Sequence, residues 1–138
     1  MGSETVTPFL EYPGKFAIVV ALSSNKSSAD FQMAEQDGKP LYQVVMEKMM
    51  SISTPDNMMF VVGATKADKL AEIRKFCPDN FFLVPGGAQG GSAEEVIAHG
   101  ANALGGLLIN SSRGIIYASS GEDFAEAAGI AAARTANL

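Results

Sequence analysis

Apolar residues along this chain gather in four unbroken runs: Phe16–Leu22, Met58–Gly63, Phe81–Val84 and Gly106–Ile109. None alternates apolar with polar, so the pattern predicts strands of a parallel sheet covered on both faces. A helical repeat follows each run. Pro40 opens the first helix where a missing N–H costs nothing, and Leu41, Val44, Val45, Lys48, Met49 and Ile52 trace its mostly apolar face. The second starts near Thr65, buries Leu70 and Ile73 with Phe76 at the margin, and stops before Pro78. The third opens on the capping-box pattern Ser92-Ala93-Glu94-Glu95, continues through Val96 and Ile97 and ends at Gly100. The last runs, alanine-rich, from near Gly121-Glu122-Asp123 through Phe124, Ala128 and Ile130 to Arg134. Thr5–Pro13 reads as a leading loop or short turn.

The order is β-α-β-α-β-α-β-α, with no linker or low-complexity tract, so residues 1–138 read as one domain. Met1-Gly2-Ser3 matches a cloning scar and carries no weight. Four strand–helix units allow a small open α/β sheet or half of an eight-stranded (β/α) TIM-type barrel. The loops favour the barrel: small or polar clusters Ser23-Ser24-Asn25, Gly63-Ala64-Thr65, Pro85-Gly86-Gly87 and Asn110-Ser111-Ser112-Arg113 all lie at carboxyl ends, where barrels place their active sites.

Composition narrows the function. Apolar residues make up 47% and charged ones 18% of 138, which excludes a disordered tail and suggests surface meant to meet another chain or segment. A net charge of −5 argues against generalised nucleic-acid or anionic-membrane binding, so an anion needs a local site. No apolar stretch approaches the roughly 20 residues of a membrane span, and no basic-then-apolar leader opens the chain. The single Cys77 excludes an internal disulfide and fits a reducing cytoplasm.

That local site is the glycine-dense turn Pro85-Gly86-Gly87-Ala88-Gln89-Gly90-Gly91-Ser92, between a strand and a helix start. Free N–H groups and the helix dipole there favour a phosphate. Arg113, ending the next strand, can add a bidentate clamp. The alternatives are a tight turn without ligand and a surface ion pair. For Ser23, Ser24 and Asn25 the alternative is local loop capping. Lys66-Ala67-Asp68-Lys69 reads as a solvated first helical turn, His99 as a dipole-favoured helix end, and Cys77 as an unreactive thiol. The cluster Met46, Met49, Met50, Met58 and Met59 reads as packing, and no spacing suggests a metal.

Taken in order, Ala21–Asn25, Val61–Thr65, Leu83–Gly91 and Asn110–Ala118 resemble the orotidine 5'-monophosphate decarboxylase family, most closely its longer bacterial branch. Asp30-Phe31-Gln32, Leu41-Tyr42 and Ile73-Arg74 extend the likeness, which runs from about Val6 to Arg134. The resemblance implies that Gln89 reaches the nucleotide phosphate, that Arg113 pairs with it, and that backbone amides of Gly90, Gly91, Ser112 and Arg113 complete the cradle. It implies that Ser24 bonds the pyrimidine edge and that Asn25 shapes that loop. Asp30 receives no role.

Two departures accompany it. The family's phosphate loop usually carries one more residue, Pro-Gly-x-Gly-Ala-Gln-Gly-Gly. Its catalytic Asp-x-Lys-x-x-Asp array, from the first half of the barrel, has no counterpart here. The chain thus resembles the C-terminal half of a cofactor-independent carboxy-lyase converting orotidine to uridine 5'-monophosphate in pyrimidine synthesis, with nucleotide-binding residues but no catalytic ones. Alone it is expected not to turn over. Its expected partners are the nucleotide and either an N-terminal half-barrel or a second copy of itself. The other readings are a non-catalytic, self-associating phosphate-binding module and a different phosphate-binding barrel enzyme. The joint contexts of Ser24, Gln89 and Arg113 argue against the last.

Overall fold

A computed structural model describes residues 2–63, 67–85 and 93–136. After a 3-10 turn at Ser3–Thr5 and a one-turn helix α1 (Thr7–Leu10), strand β1 (Ala17–Leu22) leads into helix α2 (Ser28–Phe31) and a hairpin of β2 (Glu35–Gln36) and β3 (Lys39–Pro40). Helix α3 (Leu41–Met50), β4 (Met58–Val62), α4 (Ala67–Phe76), β5 (Phe81–Pro85), α5 (Ala93–Gly100) and β6 (Leu107–Asn110) follow. The one-turn α6 (Arg113–Ile116) and α7 (Phe124–Ala136) complete the chain. The main sheet has the order β1-β4-β5-β6, and every pair is parallel. All four predicted strands are found, shifted by at most one residue at either end.

One sheet face is dry. Met58, Phe60 and Val62 of β4 and Phe82 and Val84 of β5 are fully buried against Met46, Leu70, Ile73 and Val96 from α3, α4 and α5. Burying side chains of this size contributes about 1.5–3 kcal/mol each, and this layer is the core. The predicted methionine packing holds for Met46, Met49 and Met58.

The other face is open, which corrects the expectation of strands covered on both sides. Register places Ile18 and Val20 beside Met59 and Val61, and Leu83 beside Leu108. Ile18, Val20 and Leu108 remain 48%, 59% and 50% exposed. An unbroken apolar run gives the strand but cannot say whether both covering layers lie within these 138 residues.

The face of α3 is corrected in part: Tyr42 and Met46 join the predicted Met49 in the core at i, i+4, i+7 spacing, the predicted Val45 and Ile52 pack partly buried against it, and Lys48 is exposed. The last helix begins at Phe124 rather than near Gly121, and none of its residues is buried. The leading segment is ordered as short helices, and the hairpin turns on Asp37 (φ 53°) and Gly38 (φ 77°), the Asp-Gly pair that a tight two-residue turn requires.

Beneath the strands' amino ends Arg74 acts as a staple. Its Nε and Nη2 donate to the Gly100 carbonyl (2.9 and 2.6 Å), and Nη2 also to that of Gly106 (3.1 Å). Nη1 donates to the carbonyls of Cys77 (3.0 Å), Pro78 (3.1 Å) and Asn80 (2.8 Å). These are carbonyls around the ends of α4 and α5 and ahead of β5 and β6, which the helices themselves leave unpaired.

Candidate functional site

Because all four main strands run the same way, the segments after β1, β4, β5 and β6 emerge at one end of the sheet. That end gathers Ser23, Ser24, Asn25, Gly63, Pro85, Asn110, Ser112 and Arg113. It is opposite the end stapled by Arg74.

The first loop is held from two sides. A register shift between Val20 and Leu22 brings Leu22 opposite Val62 and ends the pairing, a common way for a strand to aim the residues after it. Gln32 Oε1 accepts a hydrogen bond from the Ser23 N–H at 2.7 Å and lies 3.2 Å from the Ser23 hydroxyl. That hydroxyl donates to Asn25 Oδ1 at 2.5 Å, and Asn25 Nδ2 donates to Ser27 Oγ at 2.5 Å. Asn25 thus links Ser23 and Ser27 within the loop and is itself exposed. On the other side Gly63 donates its N–H to the Leu22 carbonyl at 2.7 Å. A Cβ at Gly63 would lie 2.6 Å from Ser24 N and 2.7 Å from Ser24 Cα, so only glycine fits beneath Ser24. The half-buried Ser24 is left between them.

The last loop presents Arg113 at the start of α6, exposed to solvent, with no ion pair to it among the described residues. The alternative of a surface ion pair thus finds no partner there. Ser112 is the residue before α6 but its side chain does not cap it; its Oγ lies 3.2 Å from Asn110 Oδ1 instead. Within α6 the Ile115 and Ile116 amides donate to the Ser112 carbonyl, so what this loop presents to solvent is the Ser112 hydroxyl and the Arg113 side chain. The structure brings Ser24, Asn25, Ser112 and Arg113 to one end of the sheet. Gln89, Gly90 and Gly91, with Thr65 near the expected start of the second helix and Ser92 of the capping-box pattern, lie outside the described residues.

Other sequence candidates settle into structural places. Lys69 bonds Glu72 Oε2 at 2.6 Å, which holds the lysine above and the carboxyl below their ordinary pKa values. His99 sits exposed in the last turn of α5. Cys77 is fully buried, and desolvation pushes its thiol up to about 11. Asp37-Gly38-Lys39 is an Asp-x-Lys pair, but Tyr42 stands where a second aspartate would follow, and Lys39 Nζ is engaged by Glu47 Oε2 at 2.7 Å. That bond lowers the Glu47 pKa. Among the described residues no cluster of His, Cys, Asp and Glu could hold a metal, and no helix is long and apolar enough to cross a membrane.

Gln32 and Gly63 were named in the sequence, within Asp30-Phe31-Gln32 and Gly63-Ala64-Thr65, but received no role of their own. A glycine directly after an apolar strand hints at a close approach, whereas the contact between Gln32 and Ser23 spans nine residues and needs the tertiary fold.

A parallel sheet of four βα units, dry on its helical side and polar at its carboxyl-end mouth, is half of a TIM-type (β/α) barrel. Residues 1–128 match the profile of the Orotidine 5'-phosphate decarboxylase / HUMPS family, and the chain belongs to that family. It is 55% identical over 130 residues to orotidine 5'-phosphate decarboxylase of Christiangramia forsetii, covering 94% of this chain and 48% of that protein. To the Bacteroides fragilis enzyme it is 52% identical over 134 residues, covering 96% and 49%. Among solved structures it resembles Leishmania donovani UMP synthase (TM-score 0.78, 38% identity, 99% of this chain and 31% of that one). It also resembles Leishmania donovani OMP decarboxylase (TM-score 0.77, 36% identity, 94% and 50%). The chain spans about half the length of the curated relatives it matches, corresponding to their C-terminal half.

Proposed function

We propose that this chain is the nucleotide-binding half of an orotidine 5'-monophosphate decarboxylase. In this reading Arg113, Ser112, Gln89, Gly90 and Gly91 hold the 5'-phosphate, and Ser24, in a loop shaped by Asn25, bonds the pyrimidine. The observation that carries it is the arrival of Arg113, with no ion pair among the described residues, and of the braced Ser24 loop at one end of a parallel sheet. A phosphate at one side of the mouth and a base at the other is what a nucleotide requires.

The full reaction replaces the pyrimidine carboxylate by a proton and releases carbon dioxide, without metal or organic cofactor, in pyrimidine biosynthesis. Phosphate binding distant from the reacting carbon contributes through transition-state stabilisation. No Asp-x-Lys-x-x-Asp array is present in these 138 residues to stabilise the carbanion and protonate it. The chain alone is therefore a binder without turnover, completed by a second half-barrel; a cytoplasmic setting suits such a step.

Calorimetric titration with uridine 5'-monophosphate tests this reading. Binding is expected without carbon dioxide release from orotidine 5'-monophosphate. Arg113→Ala should weaken binding by about 1.5–3 kcal/mol, the range for a hydrogen bond to a charged group. Unchanged affinity would remove Arg113 from the site, and turnover by pure chain would refute the missing-array argument.

A further inference from the structure

One peptide group decides where Ser24 sits. The Leu22–Ser23 peptide is planar, so holding its two polar ends fixes its orientation. Its carbonyl, on Leu22, accepts the Gly63 N–H at 2.7 Å, and its N–H, on Ser23, donates to Gln32 Oε1 at 2.7 Å. A backbone N–H can only donate, so the Gln32 atom that faces it is the amide oxygen. Ser24 follows one residue later, its backbone tight against Gly63.

Gln32 is itself anchored. Its N–H donates to the Ser28 carbonyl at 2.9 Å, closing α2, and its carbonyl accepts the Tyr42 N–H at 3.0 Å. Tyr42 is buried in the core near the start of α3. A line of hydrogen bonds thus runs from the core, through the backbone and side chain of Gln32, to the Ser23 N–H. The two serines have different parts. The Ser23 hydroxyl is engaged within the loop, donating to Asn25 Oδ1 and lying 3.2 Å from Gln32 Oε1. The hydroxyl of the half-buried Ser24 has no hydrogen-bond partner among the described residues.

We infer that Gln32 is a positioning residue for base recognition: its side-chain oxygen holds the Leu22–Ser23 peptide so that the Ser24 hydroxyl is presented to the pyrimidine. It acts through Ser23 rather than by contact with the ligand. The inference rests on the proposed nucleotide site, in which Ser24 bonds the base. Only the oxygen of Gln32 matters in this role. A carboxylate can accept the Ser23 N–H as well as an amide does, whereas an aliphatic side chain cannot.

Calorimetric titration of the 138-residue chain with uridine 5'-monophosphate and with ribose 5-phosphate, the same ligand without its base, tests this. Gln32→Leu should weaken nucleotide binding about fivefold, the worth of one hydrogen bond, and leave ribose 5-phosphate within about twofold. Gln32→Glu should bring nucleotide affinity back to within about twofold of the wild type. Should Gln32→Leu not fold by circular dichroism, Gln32→Ser, polar but too short to reach Ser23, takes its place with the same expectation. Unchanged nucleotide affinity in Gln32→Leu, equal weakening of both ligands, or a Gln32→Glu variant as weak as Gln32→Leu would each overturn the inference and leave the proposed function standing. A wild-type chain that binds uridine 5'-monophosphate no better than ribose 5-phosphate would instead remove the base contact at Ser24, and both readings with it.

Discussion

The Arg74 guanidinium lies 3.8 Å from the centre of the Phe82 ring while its N–H groups reach five backbone carbonyls. Phe82 is fully buried in β5, so one side chain joins the core to the chain reversals beneath it. A guanidinium suits this place because it is flat enough to stack and forked enough to serve several acceptors. Burial lowers the Arg74 pKa from its ordinary value.

Arg74→Met should cost roughly 3 kcal/mol in urea-melt stability, since the charge-assisted bonds to all five carbonyls are lost, although Gly106 keeps the Phe82 N–H and Pro78 the Asn102 amide as donors. Arg74→Lys should recover less than half, because an ammonium cannot span carbonyls as far apart in the chain as Cys77 and Gly106. Affinity for uridine 5'-monophosphate should stay the same in any folded variant, since Arg74 lies at the far end of the sheet. A matching loss of affinity would show that the two ends are coupled.

Strand positions were legible because an apolar run has one economical fate in a βα chain. Tyr42 and Met46 were missed on the α3 face because Leu41 and Val44 are as apolar, and only packing against β1 and β4 selects among them. The Asp37-Gly38 turn could have announced the hairpin, but its strands are two residues each and show no alternation. At the candidate site, the position of Arg113 and of the Ser23-Ser24-Asn25 loop after strands was legible, whereas the choice of Ser24 within that loop came from the family resemblance. The role of Gln32 was not legible, since it is a bond to Ser23 across a loop.

Cys77 sets an alkaline limit. Its folded thiol titrates near 11, above its ordinary value of 9.0, because burial penalises the thiolate. Below pH 9 the thiol is neutral both folded and unfolded, and its contribution is fully present. As pH rises from 9 to 11 the unfolded chain ionises first, so stability falls, by at most about 2–3 kcal/mol for two pH units. Tyr42, its pKa also raised by burial, has the same sign at higher pH. The measurement is therefore the difference between the wild type and Cys77→Ala in urea midpoints across pH 8–11. The wild type should lose more, and parallel slopes would refute the prediction.

Gly63 separates binding geometry from binding chemistry. Substituting alanine there places a methyl group against the backbone of Ser24, which cannot yield as a flexible side-chain tip would. The Ser24 loop must then move, pulling against the Ser23–Gln32 bond at its other side. Overpacking of this kind costs about 1–3 kcal/mol. Gly63→Ala should therefore lower stability by that amount and weaken uridine 5'-monophosphate binding. Inorganic phosphate, which needs only the Arg113 side of the mouth, should bind as before. Weakening of both ligands alike would mean that the two loops form a single unit; weakening of neither would place the pyrimidine away from Ser24.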